Sequence, residues 1–343
     1  MSAPTVWVVG AGGLLGASVV RALGGISWRP EGPIGWGDDS RLERDFRDDV
    51  CAFATRTLSD GAGAWAVCWC AGAGVVGTSA AALTAETHAL HLFLEHLSAE
   101  SRLMAIPGCV VLASSAGGVY GGSLVCPITE ETDPAPISDY GRAKLEQERM
   151  LCAWASRRTP SVGILVARFA NLYGPGQRLD KPQGLISHLS RCLIFNAPVH
   201  VYVSLDTIRD YLFAEDAGRQ LVAGLRRLAC ESRGQSVQVT KIYASEREIS
   251  IAGLLGIFRR ISRRRLRVIC GLHPGSALQP RRLQFRSRVW RRSDDEGERP
   301  IELVEGIHQV YRDQLALFRR GLLPPPSPPR ATAFRQPSTH TNR

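Results

Sequence analysis

The chain has 343 residues, 44% of them hydrophobic and 22% charged, with a formal net charge of +10. Those proportions fit a globular protein with a sizeable core and exclude a disordered or fibrous chain. No apolar run approaches the roughly 18 residues of a membrane span, and no basic-then-apolar leader opens the chain, so the sequence predicts no membrane contact and a cytoplasmic location.

The first half alternates strands and helices. Thr5–Val9 is an apolar, β-branched run that ends in glycine, and Leu14–Leu23 has helical spacing. Ala64–Cys70 is a second strand candidate and Thr84–Leu97 a helix. Cys109–Ala113 is a strand ending in Ser114-Ser115, Asp139–Ala155 a long helix, and Val162–Arg168 another strand. This alternation predicts a Rossmann-like, doubly wound parallel sheet with helices on both faces. The Tyr173–Gly176 breaker ends the alternation, while 207–228 reads as a strand leading into a helix. The predicted division is a dinucleotide-binding domain over 1–173, to which 205–245 return, and a smaller C-terminal substrate lobe from 174–204 and 246–320. Residues 321–343, rich in proline and basic, are expected to be disordered or polyproline-like.

The nine cysteines are scattered, with no C-x-x-C pair, which predicts reduced core thiols and no metal. Twelve arginines and no acid lie between Arg259 and Arg292. Such a patch fits solvated helix ends, a diphosphate pocket or nucleic acid; no nucleic-acid partner is expected here.

Two motifs carry chemistry. Gly10, Gly13 and Gly16, with Leu14 and Leu15 between the last two, follow the first strand and open the first helix. In that context the glycines allow a tight turn and close backbone approach to a pyrophosphate, which the helix N-terminus attracts. Ile26–Pro30 reads as a short second strand. Its Arg29 would meet a 2′-phosphate and tilts the choice towards NADP, whereas Asp38 and Asp39 are candidates for NAD. The second motif is Tyr140 and Lys144, one helical turn apart on one face. A fixed ammonium favours the phenolate, so the pair is suited to move a hydroxyl proton while hydride is exchanged with a nicotinamide. A hydroxyl from Ser114 or Ser115, about 25 residues upstream, can orient the same oxygen.

With these motifs in order, the sequence resembles the extended short-chain dehydrogenase/reductase family of nucleotide-sugar epimerases, dehydratases and reductases. The resemblance spans about residues 5–317. It rests on GAGGLLG at 10–16, SSAGGVYG at 114–121, YGRAK at 140–144, RFANLYGPG at 168–176 and RDYLFAED at 209–216. It implies Tyr140 as catalytic acid/base with Lys144 and Ser115 beside it. Asp45 and Phe46 would meet the adenine, and Ala71 and Gly72 would line the cofactor. Ser114, Asn171 and Arg209 would meet the substrate, with one arginine of 281–288 as a second phosphate clamp. Ala116 stands where many members carry the catalytic hydroxyl. Gly117-Gly118 replace the acidic pair of dehydratases, which argues against 4,6-dehydration. The expected activity is epimerisation of a nucleotide-activated sugar, with NADPH-dependent ketoreduction as the alternative and a non-catalytic dinucleotide-binding protein as a third reading. The resemblance also implies a homodimer.

Overall fold

The computed structural model describes residues 3–158, 162–179, 184–232, 235–264, 266–271, 279–291 and 299–326. Five parallel strands form the central sheet in the order β1 (Thr5–Val9), β2 (Trp65–Trp69), β3 (Gly108–Ser115), β4 (Val162–Phe169) and β8 (Gln238–Tyr243). The first four are short, β-branched or apolar runs, buried along their length, as strands covered on both faces must be.

One face is covered by α2 (Asp39–Ser59), α3 (Ala80–Ala99) and α6 (Asp139–Ala155). They share a core of Phe46, Phe53, Leu90, Phe93, Leu151 and Trp154 beneath Trp7, Trp65 and Trp69. The other face carries α1 (Leu14–Ala22) and α8 (Ala214–Glu231), packed through Val19, Leu221 and Leu225. The sheet is therefore doubly wound, and its strand carboxyl ends open on one edge where such folds bind ligands.

Beyond β4 lie β5 (Asn171–Tyr173), α7 (Leu185–Ile194), β6 (Val199–Val201) and β7 (Ile208–Phe213). β9 (Glu248–Ser250), α9 (Ile251–Ser262), β10 (Val268–Cys270) and α10 (Leu303–Arg319) follow β8. These pieces share a smaller core of Tyr173, Leu189, Tyr211, Leu254, Phe258 and Ile307. Two short helices, α4 (Ser101–Met104) and α5 (Ala116–Val119), flank β3.

One element departs from expectation. The Ile26–Pro30 strand shrinks to a single bridge, in which Trp28 N–H donates to the Val6 carbonyl at 2.8 Å. The chain then enters α2, which the sequence reading passed over. Leu42, Phe46, Val50 and Phe53 fall on one helical face and are all buried, and the Asp38 carboxylate caps the start by accepting from Arg41 N–H at 3.1 Å.

The basic patch also has a local explanation. Phe195, just past α7, packs edge-on against Phe318 of α10 at 5.0 Å, and Arg267 donates to the Asn196 carbonyl. Arg259 and Arg260 lie in the last turn of α9, Arg191 in that of α7 and Arg319 in that of α10. Cations there are favoured by the helix dipoles. Most of the expected tail, residues 327–343, lies outside the described residues.

Candidate active site

The glycine loop folds as a tight turn, with Gly13 N–H donating to the Gly10 carbonyl at 3.0 Å. Gly10 has φ +85°, and a Cβ there would meet the Ala71 backbone nitrogen at 2.6 Å. A Cβ on Gly16 would strike the Gly10 carbonyl. Both positions therefore need glycine, one for its dihedral and one for the close approach of α1 to the loop. Leu15 is buried in the sheet core, so only its backbone is left for a ligand, and Leu14 is half-buried at the first turn. The first N–H groups of such a helix start favour an anion.

The same loop leads to the second motif. Ala71, touching Gly10, is followed by Gly72, whose outer side faces the Lys144 ammonium and a Glu86 carboxylate oxygen, each 3.4 Å from where a Cβ would stand. Lys144 is buried on α6 and donates to Gln147 Oε1 at 3.0 Å. Its Nζ lies 6.0 Å from the Tyr140 ring centroid. The Ser115 hydroxyl and the Tyr140 ring both flank Gly118, 3.3 and 3.0 Å from where a Cβ there would stand, and Ser115 also caps α5, accepting from Gly118 N–H at 3.1 Å. Ser115, Tyr140 and Lys144 thus meet at one place, although the sequence has Ala116 where the family hydroxyl is usual. β3 runs one residue further, to Ser115, before the turn into α5.

Burial pushes the Tyr140 phenol up; the Ser115 hydrogen bond lowers it and the Glu86 charge raises it further. Burial also pushes the Lys144 ammonium down, against the charges of Glu86 and Glu148.

Ser114 does not face this space. Adjacent strand residues point to opposite faces, and its hydroxyl donates to Glu148 Oε1 at 2.5 Å. Glu148 is paired with Arg168 through Nη2 at 2.6 Å and Nε at 3.0 Å, and Arg168 donates to the Tyr120 hydroxyl. This buried network joins β3, β4, α5 and α6. Ser114, read as meeting the substrate, is placed by the fold in this network.

Asp45 and Phe46, read as meeting the adenine, both lie within α2. Asp45 accepts from Gly35 N–H at 2.8 Å, and Phe46 is fully buried against Trp69 and Phe93. The segment from Arg29 to Asp38 replaces the missing strand. It exposes Arg29, which has no partner among the described residues, and the Trp36 indole, 47% exposed and edge-on to Phe46 and Trp69.

On the substrate side, β5 pairs with β7, setting Asn171 opposite Tyr211. Asn171 Nδ2 donates to the Asp210 carbonyl at 3.1 Å. Arg209 is 7% exposed, and among the described residues its guanidinium donates to the Ile208 carbonyl at 2.8 Å and to Gln279 Oε1 at 3.3 Å. Burial pushes it down. A buried cation with no acid beside it among the described residues is suited to a phosphate. The neighbouring arginines are mostly spent: Arg281 pairs with Asp206, Arg282 with Glu248 and Arg288 with Glu131. Arg286 instead donates to the Glu246 and Phe285 carbonyls.

Sequence reasoning missed Glu86. On α3, its Oε1 accepts from Ala73 N–H at 2.6 Å and from Gly74 N–H, pinning the loop after β2, while its Oε2 is buried without a hydrogen-bond partner. The only available signal was the Ala71–Gly74 loop, whose N–H groups need an acceptor from outside.

The family profile of NAD dependent epimerases/dehydratases matches residues 6–239. The chain belongs to this family. It is 34% identical over 100 residues to the dTDP-L-rhamnose 4-epimerase of Burkholderia thailandensis, 29% of this chain and 27% of that one. Over 142 residues it is 29% identical to an Escherichia coli dTDP-4-dehydro-6-deoxyglucose reductase, covering 39% and 44%. A rice UDP-glucose 4-epimerase is 26% identical over 192 residues, covering 51% and 54%. The matched stretches thus span about a quarter to about half of these relatives. The fold matches the UDP-glucose 4-epimerase of Thermotoga maritima, solved with UDP-glucose, at TM-score 0.66 and 20% identity over 93% of this chain and 99% of that one. It also matches a Bacillus cereus UDP-glucuronic acid 4-epimerase, solved with UDP-glucuronic acid and NAD, at TM-score 0.67 and 19% identity over 91% and 99%. No group of three metal-ligating side chains occurs among the described residues, and no described helix is long and apolar enough to cross a membrane.

Proposed function

We propose that the chain is an NAD(P)-dependent oxidoreductase that acts on a hydroxyl or keto carbon of a nucleotide-activated sugar, in the first reading as an epimerase. The observation that carries this is the meeting of Ser115, Tyr140 and Lys144 beside the Gly10–Gly16 loop, with Ala71 and Gly72 linking them.

The residues fit a dinucleotide. The loop and the α1 N-terminus would take the pyrophosphate. Lys144 and the unpartnered Glu86 oxygen face one space above Gly72, suited to a ribose diol. The adenosine would then run towards Arg29 and Trp36. A bound nicotinamide supplies the hydride acceptor or donor. Tyr140 handles the proton: its oxygen takes the proton of a sugar hydroxyl as the carbon gives up hydride, and returns it when hydride comes back. Ser115 fixes the reacting oxygen. Arg209, with Asn171 on the adjacent strand, would hold the diphosphate.

The relatives support the substrate class, since those described above are named for nucleotide-sugar chemistry. One observation favours NADPH-dependent ketoreduction as a second reading. Arg29 is exposed and, among the described residues, without a partner, ready for a 2′-phosphate. Dinucleotide extracted from the purified protein separates the readings: tightly held NAD points to epimerisation, and an empty site that takes up NADPH points to reduction.

Tyr140→Phe tests the shared core. Turnover of nucleotide sugars should vanish while dinucleotide affinity stays within a few-fold of wild type. Loss of both together would give Tyr140 a structural role and overturn the reading.

A further inference from the structure

Lys144 is one of three lysines in a chain that otherwise takes its positive charge from arginine. It is 6% exposed, and among the described residues it hydrogen-bonds a neutral amide, Gln147 Oε1. An ammonium in such a place needs a nearby anion or it sheds its proton.

Two carboxylates act on it, Glu86 from α3 and Glu148 from its own helix. Glu148 is already engaged by Arg168 through two nitrogens and by the Ser114 hydroxyl. The other polar groups beside Lys144 are the Tyr140 phenol on α6 and Thr87 on α3, and Thr87 is hydrogen-bonded to Gln147 at 3.3 Å. Glu86 is different. Its Oε1 is fixed by two backbone N–H groups, so the side chain cannot swing away. Its Oε2 is buried, unpartnered, and faces the space above Gly72 that the Lys144 ammonium also faces.

We infer that Glu86 is the counter-charge of Lys144: a positioning residue on α3 whose free carboxylate oxygen keeps the lysine charged and aimed across Gly72, and so sets the working pH of Tyr140. This rests on the reading of Tyr140 and Lys144 proposed above. It assigns Glu86 two tasks that separate by oxygen, Oε1 holding the 71–74 loop and Oε2 the charge.

The test is Glu86→Gln, which keeps an acceptor for the loop and removes the charge. With only three lysines, Lys144 can be titrated directly in the cofactor-free protein by NMR of ¹³C-labelled lysine side chains, with Lys144→Met to assign its signal. Glu86→Gln should move the Lys144 titration down by at least a full pH unit, and Glu86→Asp should recover part of the shift. In steady-state turnover, both limbs of the pH profile should move to lower pH, since the same charge raises the Tyr140 phenol. An unmoved Lys144 titration would overturn the inference even if activity fell, because a purely structural glutamate would lower the height of the profile and leave its limbs in place. A shifted titration in a protein that turns over no nucleotide sugar would uphold the pairing and reject the proposed activity instead.

Discussion

Lys144 and Glu148 sit one turn apart on α6, both buried, and the fold treats them in opposite ways. Glu148 is surrounded by donors from β3 and β4: Ser114, and an Arg168 that also reaches Tyr120. Lys144 has a neutral amide and a carboxylate it does not touch, across an open space. A charge that serves the fold is paired until nothing is left over, whereas one that serves chemistry is left short of partners so that a ligand can complete it. The same contrast holds between Arg209, buried with no acid beside it among the described residues, and Arg281, Arg282 and Arg288, each paired with one.

The largest expected effect tests the satisfied side. Arg168→Met leaves Glu148 buried without its cation and should cost about 3–5 kcal/mol of stability. Adding Glu148→Gln to Arg168→Met should restore part of that, since the orphaned charge is then gone. Thermal denaturation of the two variants reads both numbers, and a double variant no more stable than the single one would show that the network acts through packing. Next in size is Gly16→Ala, which should cost about 1–3 kcal/mol by forcing α1 away from the Gly10 carbonyl. Dinucleotide affinity should weaken more than stability does. Unchanged affinity would place the pyrophosphate elsewhere.

Much of this was legible in the sequence because it depended on local pattern. Residues 139–155 form a helix over the span that their spacing predicted, and the strand runs of β1 to β4 are mostly apolar stretches. The Gly10–Gly16 motif and the Tyr140–Lys144 spacing are likewise short-range. What failed was the segment from 24 to 46. Asp45-Phe46 resembled the family aspartate that meets the adenine, yet the stripe of Leu42, Phe46, Val50 and Phe53 gives a helix that takes the phenylalanine into the core. A motif match outweighed periodicity there, and periodicity was the better guide. β8 was missed because its first four residues are exposed or half-buried, so its pattern is weak, and pairing with β4 decides it. Glu86 was invisible for another reason: its partners are about a dozen residues away in sequence and become neighbours only when α3 docks.

The smallest predicted effects come from two adjacent serines, and they sharpen the comparison most. Sequence reading set Ser114 and Ser115 together as hydroxyls near the substrate; the strand turns them to opposite sides. Ser114→Ala removes one donor from a carboxylate that keeps its arginine, so it should cost about 1 kcal/mol of stability and leave turnover unchanged. Ser115→Ala removes the hydroxyl that holds the Tyr140 phenol, so it should leave the melting temperature nearly unmoved and slow turnover about tenfold. Measuring both quantities on both variants makes the assignment a crossover rather than a single loss. If Ser114→Ala slowed turnover and Ser115→Ala did not, β3 would be in the opposite register at its end. The catalytic hydroxyl would then belong to the paired, structural side of α6, and the division between satisfied and unsatisfied charge would no longer mark the active site.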